Sequence, residues 1–251
     1  MSLALYAYAA LPAGAPVPDM PGLEGAGPLA LVTEGAVAAL VSPVPAAWFA
    51  EGGLSSDPEW VSRQALRHHA VCGALAGMAL PLAFGAVFSS EAPLRLWLAE
   101  RAGPLAASLD RARGCAEWTL LLREDAPRLE AWLAAHDTEL ARLSGAAALA
   151  GPGTRFLLER RLERAREEAR ARHLDAAATR LQVALADHAR ALTPARTRAG
   201  MLGVNVLLPG APPPSLENMA NELDATGVSL TLSGPWPPYA FAREALAHAH
   251  G

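Results

Sequence analysis

An α+β fold of two domains, the second ferredoxin-like with a long helical insertion, is what the residue pattern predicts, on three observations. The chain has 251 residues, 52% hydrophobic and only 18% charged, which is ample for a buried core and far from the composition of a disordered polymer. Runs of period-two apolar pattern are mixed irregularly with runs of helical period, unlike the regular alternation of a doubly wound sheet. The pattern restarts after Gly114, dividing the chain into residues 1–114 and 115–251.

The elements follow in order. Leu3 to Ala9 reads as a strand, and the Gly/Pro-rich run Leu11 to Pro28 as a loop. Leu29 to Thr33 and Val37 to Ser42 form a hairpin around Glu34–Gly35, and Ser42 to Pro58 is irregular. Asp57 is an N-cap with Pro58 in the first helical position, and helical pattern runs to Ala79, where Pro81 stops it. Leu82 to Phe88 is an apolar strand, and Ser90 caps a helix to Arg113. In the second half Cys115 to Arg123 is a strand with Trp118, Leu120 and Leu122 on one face, and Ala126 to Leu143 is helical. After Gly151–Pro152–Gly153 a long helix spans 154–192, its apolar stripe running from Leu158 through Leu162, Ala169, Leu181 and His188 to Leu192. Pro194 closes it. Arg198 to Leu208 is a strand, Ser215 to Thr226 a helix and Val228 to Leu232 a strand. The resulting β-α-β-α-β order is that of a ferredoxin-like plait lengthened by helix.

Composition narrows the function classes. All 21 lysine-plus-arginine positions are arginine, a compositional bias, and the net charge of −4 offers no global attraction to nucleic acid or to an anionic membrane. Cys72 and Cys115 have no metal-site or redox spacing and read as small buried apolar side chains. Met1 to Ala10 lacks the basic start of a signal peptide. The uncharged stretch Ala70 to Phe88 is Ala/Gly-rich, holds Pro81, and reads as helix plus strand, so a cytoplasmic location is expected. Nucleophile-elbow, phosphate-loop, dinucleotide and zinc-protease motifs are all absent, and His68–His69 read as surface or core-edge histidines. No catalytic residue, cofactor or metal is expected.

Two segments carry more than one reading. Between Arg155 and Arg198 stand eleven arginines against six acids. They could form a phosphate- or nucleic-acid-binding stripe, but Glu163–Arg166, Glu167–Arg170 and Glu168–Arg172 spacings favour a solvated amphipathic face. Gly234–Pro235–Trp236–Pro237–Pro238–Tyr239–Ala240–Phe241 holds Trp236 in extended geometry through the prolines on both sides of it. It reads either as a rigid strand exit covering the edge of the core or as an aromatic anchor for a partner through Trp236, Pro237, Pro238, Tyr239 and Phe241. A small-molecule enzyme on a ferredoxin-like scaffold is the remaining alternative.

Taken in order, these pieces resemble the gas vesicle protein F/L family (GvpF/GvpL) over nearly the whole chain. The residues that carry the resemblance are Leu5–Tyr6–Ala7–Tyr8; Pro81, Phe84 and Gly85 in Leu80–Gly85; the Glu117–Trp118 pair; Gly153 in Gly153–Leu157; and Gly234 to Phe241. Ala83 stands where the family commonly has arginine, and Phe156 where it has tyrosine. The resemblance implies a non-enzymatic accessory of gas vesicle formation. It would associate with the hydrophobic shell protein GvpA and other gas vesicle accessory proteins, and with neither nucleic acid nor a lipid membrane.

Overall fold

The computed structural model describes residues 2–247 other than 52, 196 and 198–200. Strand β1 (Leu3–Pro12) pairs antiparallel with β3 (Val37–Pro45), which pairs with β2 (Ala30–Glu34) across the tight turn at Gly35. Two-residue strands β4 (Leu80–Pro81) and β5 (Val87–Phe88) complete this first sheet on the other side of β1. Helix α1 (Pro58–Ala74) covers one face, where Val71 and Leu75 pack with Ala4, Tyr6 and Tyr8. Helix α2 (Glu91–Ala112) covers the other, where Leu94, Leu98 and Leu105 pack with Ala7 and Ala10. A strand buried on both faces needs no polar alternation, so the start of the chain reads as one apolar run.

Strands β1 and β3 run past the expected Ala9 and Ser42, to Pro12 and Pro45, each held by the ladder between them, and two larger departures follow. Helix α1 ends at Ala74 rather than Ala79, because Leu75 to Met78 form a turn in which Gly77 takes φ +74° and its carbonyl accepts the Gly114 N–H at 2.8 Å. Leu82 to Phe88 is not one strand. The chain leaves the sheet after Pro81, turns through Gly85 at φ +89° and returns at Val87, so Pro81 belongs to β4 itself.

The second sheet comprises β6 (Ala116–Glu124), β7 (Ala191–Pro194), β8 (Met201–Leu208) and β9 (Val228–Trp236) in the order β7-β8-β6-β9, every neighbour antiparallel. Helices α3 (Ala126–His136), α4 (Thr138–Leu149), α5 (Pro152–Ala186) and α6 (Ser215–Asp224) cover one face, where Leu129, Leu140, Leu181 and Leu223 meet Leu120, Leu122, Val206 and Leu230. The single helix expected over 126–143 is two. Asp137 accepts the N–H groups of Glu139 and Leu140 at 2.9 and 3.0 Å and starts α4, which runs on through the Gly/Ala stretch. The long helix, expected over 154–192, runs from Pro152 to Ala186, about 52 Å at the usual rise. Leu192 therefore lies on β7, a strand absent from the sequence reading, and Pro194 occupies the sheet edge where a missing N–H is tolerated.

The last helix, α7 (Tyr239–Ala247), does not pack on the second sheet's core. Its Ala240, Phe241 and Ala242 join Leu80, Leu98 and Leu105 in the core beneath the first sheet, together with Leu207 from β8. No helix among the described residues is long and apolar enough to cross a membrane.

Candidate functional site

The segment Gly234 to Phe241 is the seam between the two sheets. Gly234 lies against β6: a Cβ there would come within 2.9 Å of both the Glu117 carbonyl and the Trp118 ring, and its φ of +146° suits only glycine. Pro235 follows through a cis peptide bond. Trp236 ends β9 beside His69 of α1, at 5.8 Å between ring centroids, and remains 40% exposed. Pro237 and Pro238 are buried, the half-buried Tyr239 stacks on His69 with its hydroxyl 3.0 Å from Nδ1, and Phe241 is buried. Of the five residues expected to anchor a partner, only Trp236 offers substantial surface.

Glu117 secures this seam from below. The residue is 5% exposed, and its carboxylate accepts the Ala240 N–H at 2.8 Å, capping the start of α7. Burial pushes its pKa up to about 7, against the lowering effect of the Ala240 and Phe241 N–H groups and of Arg243. Glu117 and Trp118 of β6 and Gly234 of β9 thus come together, two segments of one joint.

Pro81, Phe84 and Gly85 belong to a second cluster. The Tyr6 hydroxyl accepts the Gly85 N–H at 3.4 Å and donates to His68 Nδ1 at 2.8 Å, while His68 Nε2–H donates to the Leu82 carbonyl at 3.2 Å. Phe84 packs at 6.0 Å from both Tyr6 and His68. Burial brings the His68 pKa down to about 4 and pushes the Cys72 thiol, 3.5 Å from His68 Nε2, up to about 12. At neutral pH the two face each other as thiol and neutral imidazole, the opposite of an activated pair. The network ties the turn after Pro81 to β1 and α1.

Arginines of α5 make ion pairs between elements rather than the pairs within the helix expected from spacing. Arg170 grips Glu124 of β6 through two bonds, Arg172 meets Asp137, Arg161 meets Glu139 and Arg180 meets Glu222 of α6. Glu124 is nearly enclosed, so that pair carries more weight than the exposed ones.

Gly153 stands apart from both clusters, exposed in the first turn of α5 with open space where a Cβ would project. Around it, among the described residues, lie three exposed large apolar side chains. Leu149 at the end of α4 is 91% exposed, and Phe156 and Leu157 in the first turns of α5 are 62% and 68% exposed. A groove between α4 and α5, lined by Ala147 and Leu162 and by the charged Arg155, Glu159, Glu163 and Arg166, adjoins this tip. Sequence reasoning overlooked the tip, although two adjacent large apolar residues off the Leu158–Leu162 stripe were its signal.

Comparison with known proteins agrees over most of the chain. Residues 4–243 match the family described as gas vesicle synthesis protein GvpL/GvpF. Gas vesicle protein L2 of Halobacterium salinarum is 32% identical over 205 residues, covering 75% of this chain and 74% of that protein. Gas vesicle protein L of a Streptomyces species is 28% identical over 248 residues, covering 91% and 89%. The crystal structure of the gas vesicle protein GvpF from Anabaena shares the fold at a TM-score of 0.75 and 14% identity, over 96% of this chain and 98% of that one.

Proposed function

The chain belongs to the GvpL/GvpF family of gas vesicle synthesis proteins, and from that membership we propose that it is a non-enzymatic accessory that docks the hydrophobic shell subunit GvpA while the vesicle wall is built. A wall subunit that excludes water on one side aggregates unless its apolar surface is covered before assembly. The observation that carries this reading is the exposed Leu149, Phe156 and Leu157 at the α4–α5 tip, with the groove between the two helices beside them. Trp236 is a smaller second contact, and other gas vesicle accessory proteins share these surfaces. The work takes place in the cytoplasm, at the growing vesicle.

The second half, in this reading, is a ferredoxin-like domain beginning at residue 115. Its support is the β-α-β-β-α-β succession of β6 to β9 with all neighbours antiparallel in the order β7-β8-β6-β9. Residues 1–114 form the other domain, completed by α7. The three helices between β6 and β7 supply the first helix of the plait together with the insertion that carries the docking tip.

Replacing the chromosomal gene tests the role. Loss of vesicles, or vesicles of altered number and shape, is expected on deletion, with recovery by the wild-type gene and none by a Leu149→Ser, Phe156→Ser, Leu157→Ser variant. Unchanged vesicles on deletion would refute the proposal.

A further inference from the structure

The free edge of the second sheet has the form of a self-pairing surface. Strand β9 pairs with β6 on one side, and among the described residues no strand pairs with its other side. Edge strands of this length template aggregation unless guarded by charge, proline, bulges or a covering element. Every other edge is guarded. The Thr33 carbonyl on β2 is taken by Arg95, which also pairs with Glu34 and Glu91. Strand β7 is four residues long and ends in Pro194, while β4 and β5 have two residues each. Proline and a register shift enter β9 only after Ser233, at Pro235; the outer edge from Ser229 to Ser233 carries no charge and no proline, and Thr231, Leu232 and Ser233 are exposed.

The residues on that edge say what would cover it. Ser229–Leu230–Thr231–Leu232–Ser233 reads the same in both directions. In an antiparallel pair centred on Thr231, a residue a given number of places before the centre faces the residue the same number after it. A second copy would therefore set Ser229 opposite Ser233 and Leu230 opposite Leu232. The leucines meet on the side facing the helices, where Leu232 is 36% exposed, and the serines and threonine meet on the other side. Pairing centred on a residue also matches outward N–H to outward C=O whichever parity of β9 faces β6. A partner strand of unrelated sequence would match these positions only by chance, whereas a two-fold interface matches them all. We propose that two copies of this chain join β9 to β9 about a two-fold axis at Thr231, making one continuous eight-stranded sheet.

Sedimentation of the full chain across the micromolar range tests this, using wild type, Thr231→Lys, Thr231→Glu and an equimolar mixture of the two variants. Wild type is expected to dimerise. Each variant sets two like charges face to face at the axis and should raise the dissociation constant at least ~tenfold, and the mixture should recover a dimer. A wild type that stays monomeric, or single variants that dimerise as well as wild type, would overturn the proposal. Thr231→Cys decides the matter should the charged variants fold poorly. Oxidation is expected to yield a covalent dimer that wild type, with Cys72 and Cys115 both buried, does not form. Failure of Thr231→Cys to cross-link would equally overturn it.

Discussion

Glu117 and His68 are both buried and make no ion pair among the described residues, yet they bias stability with pH in opposite directions. Glu117 titrates near 7 in the folded chain against an ordinary 4.5, so between those values the folded state holds more protons and stability falls as pH rises. His68 titrates near 4 against an ordinary 6.5, so there the unfolded state holds more protons and stability rises with pH. Each contribution amounts to about 3 kcal/mol at most, and the two largely cancel between pH ~4.5 and ~6.5. Glu117→Gln keeps an acceptor for the Ala240 N–H and removes one slope. Its urea midpoint is expected to climb between pH ~4 and ~6.5 where wild type stays nearly level, and a level profile in the variant would contradict the account. Gly234→Ala should lose at least ~2 kcal/mol, read as a lowered urea midpoint, because the new methyl meets the Glu117 carbonyl and the Trp118 ring. The sequence marks Gly234 and Glu117 as motif positions. What holds them together is a contact across more than a hundred residues, which local pattern does not encode.

Helix and strand boundaries show which local signals dominate. Asp57 with Pro58 was legible as a helix start because cap and proline act within one turn, and its side chain does accept the Glu59 N–H at 2.9 Å. Asp137 was not legible, since it interrupts an otherwise continuous helical pattern and prevails only by capping two N–H groups at once. Asp137→Ala should cost about 1 kcal/mol and lower the melting temperature by a few degrees. Strand β7 escaped notice because Ala191 to Pro194 has no strand signal of its own and is ordered by its ladder to β8. Among the α5 arginines, Arg170→Ala should destabilise by roughly 1–3 kcal/mol by leaving the enclosed Glu124 carboxylate unpaired. Arg160→Ala, exposed and without an ion pair among the described residues, should change stability by less than about 0.5 kcal/mol in the same denaturation series.

At the scale of the molecule, the two sheets are bound into one unit by α7, which leaves the second sheet at Trp236 and completes the core of the first. A chain ending at Pro238 should therefore lose amide-exchange protection chiefly in α2 and β1, while α3 to α6 keep theirs. The mixed α/β class and most elements were readable from periodicity and punctuation. The exposed apolar tip was not, because Leu149, Phe156 and Leu157 become a surface only when α4 and α5 fold back on each other. The most direct test of the docking account places a photo-crosslinking benzoylphenylalanine at Phe156, with Leu66 on the exposed side of α1 as the control, in cells forming vesicles. Irradiation is expected to join the chain to GvpA from Phe156 and not from Leu66. Adducts to GvpA from Leu66 alone, or from neither position, would contradict it.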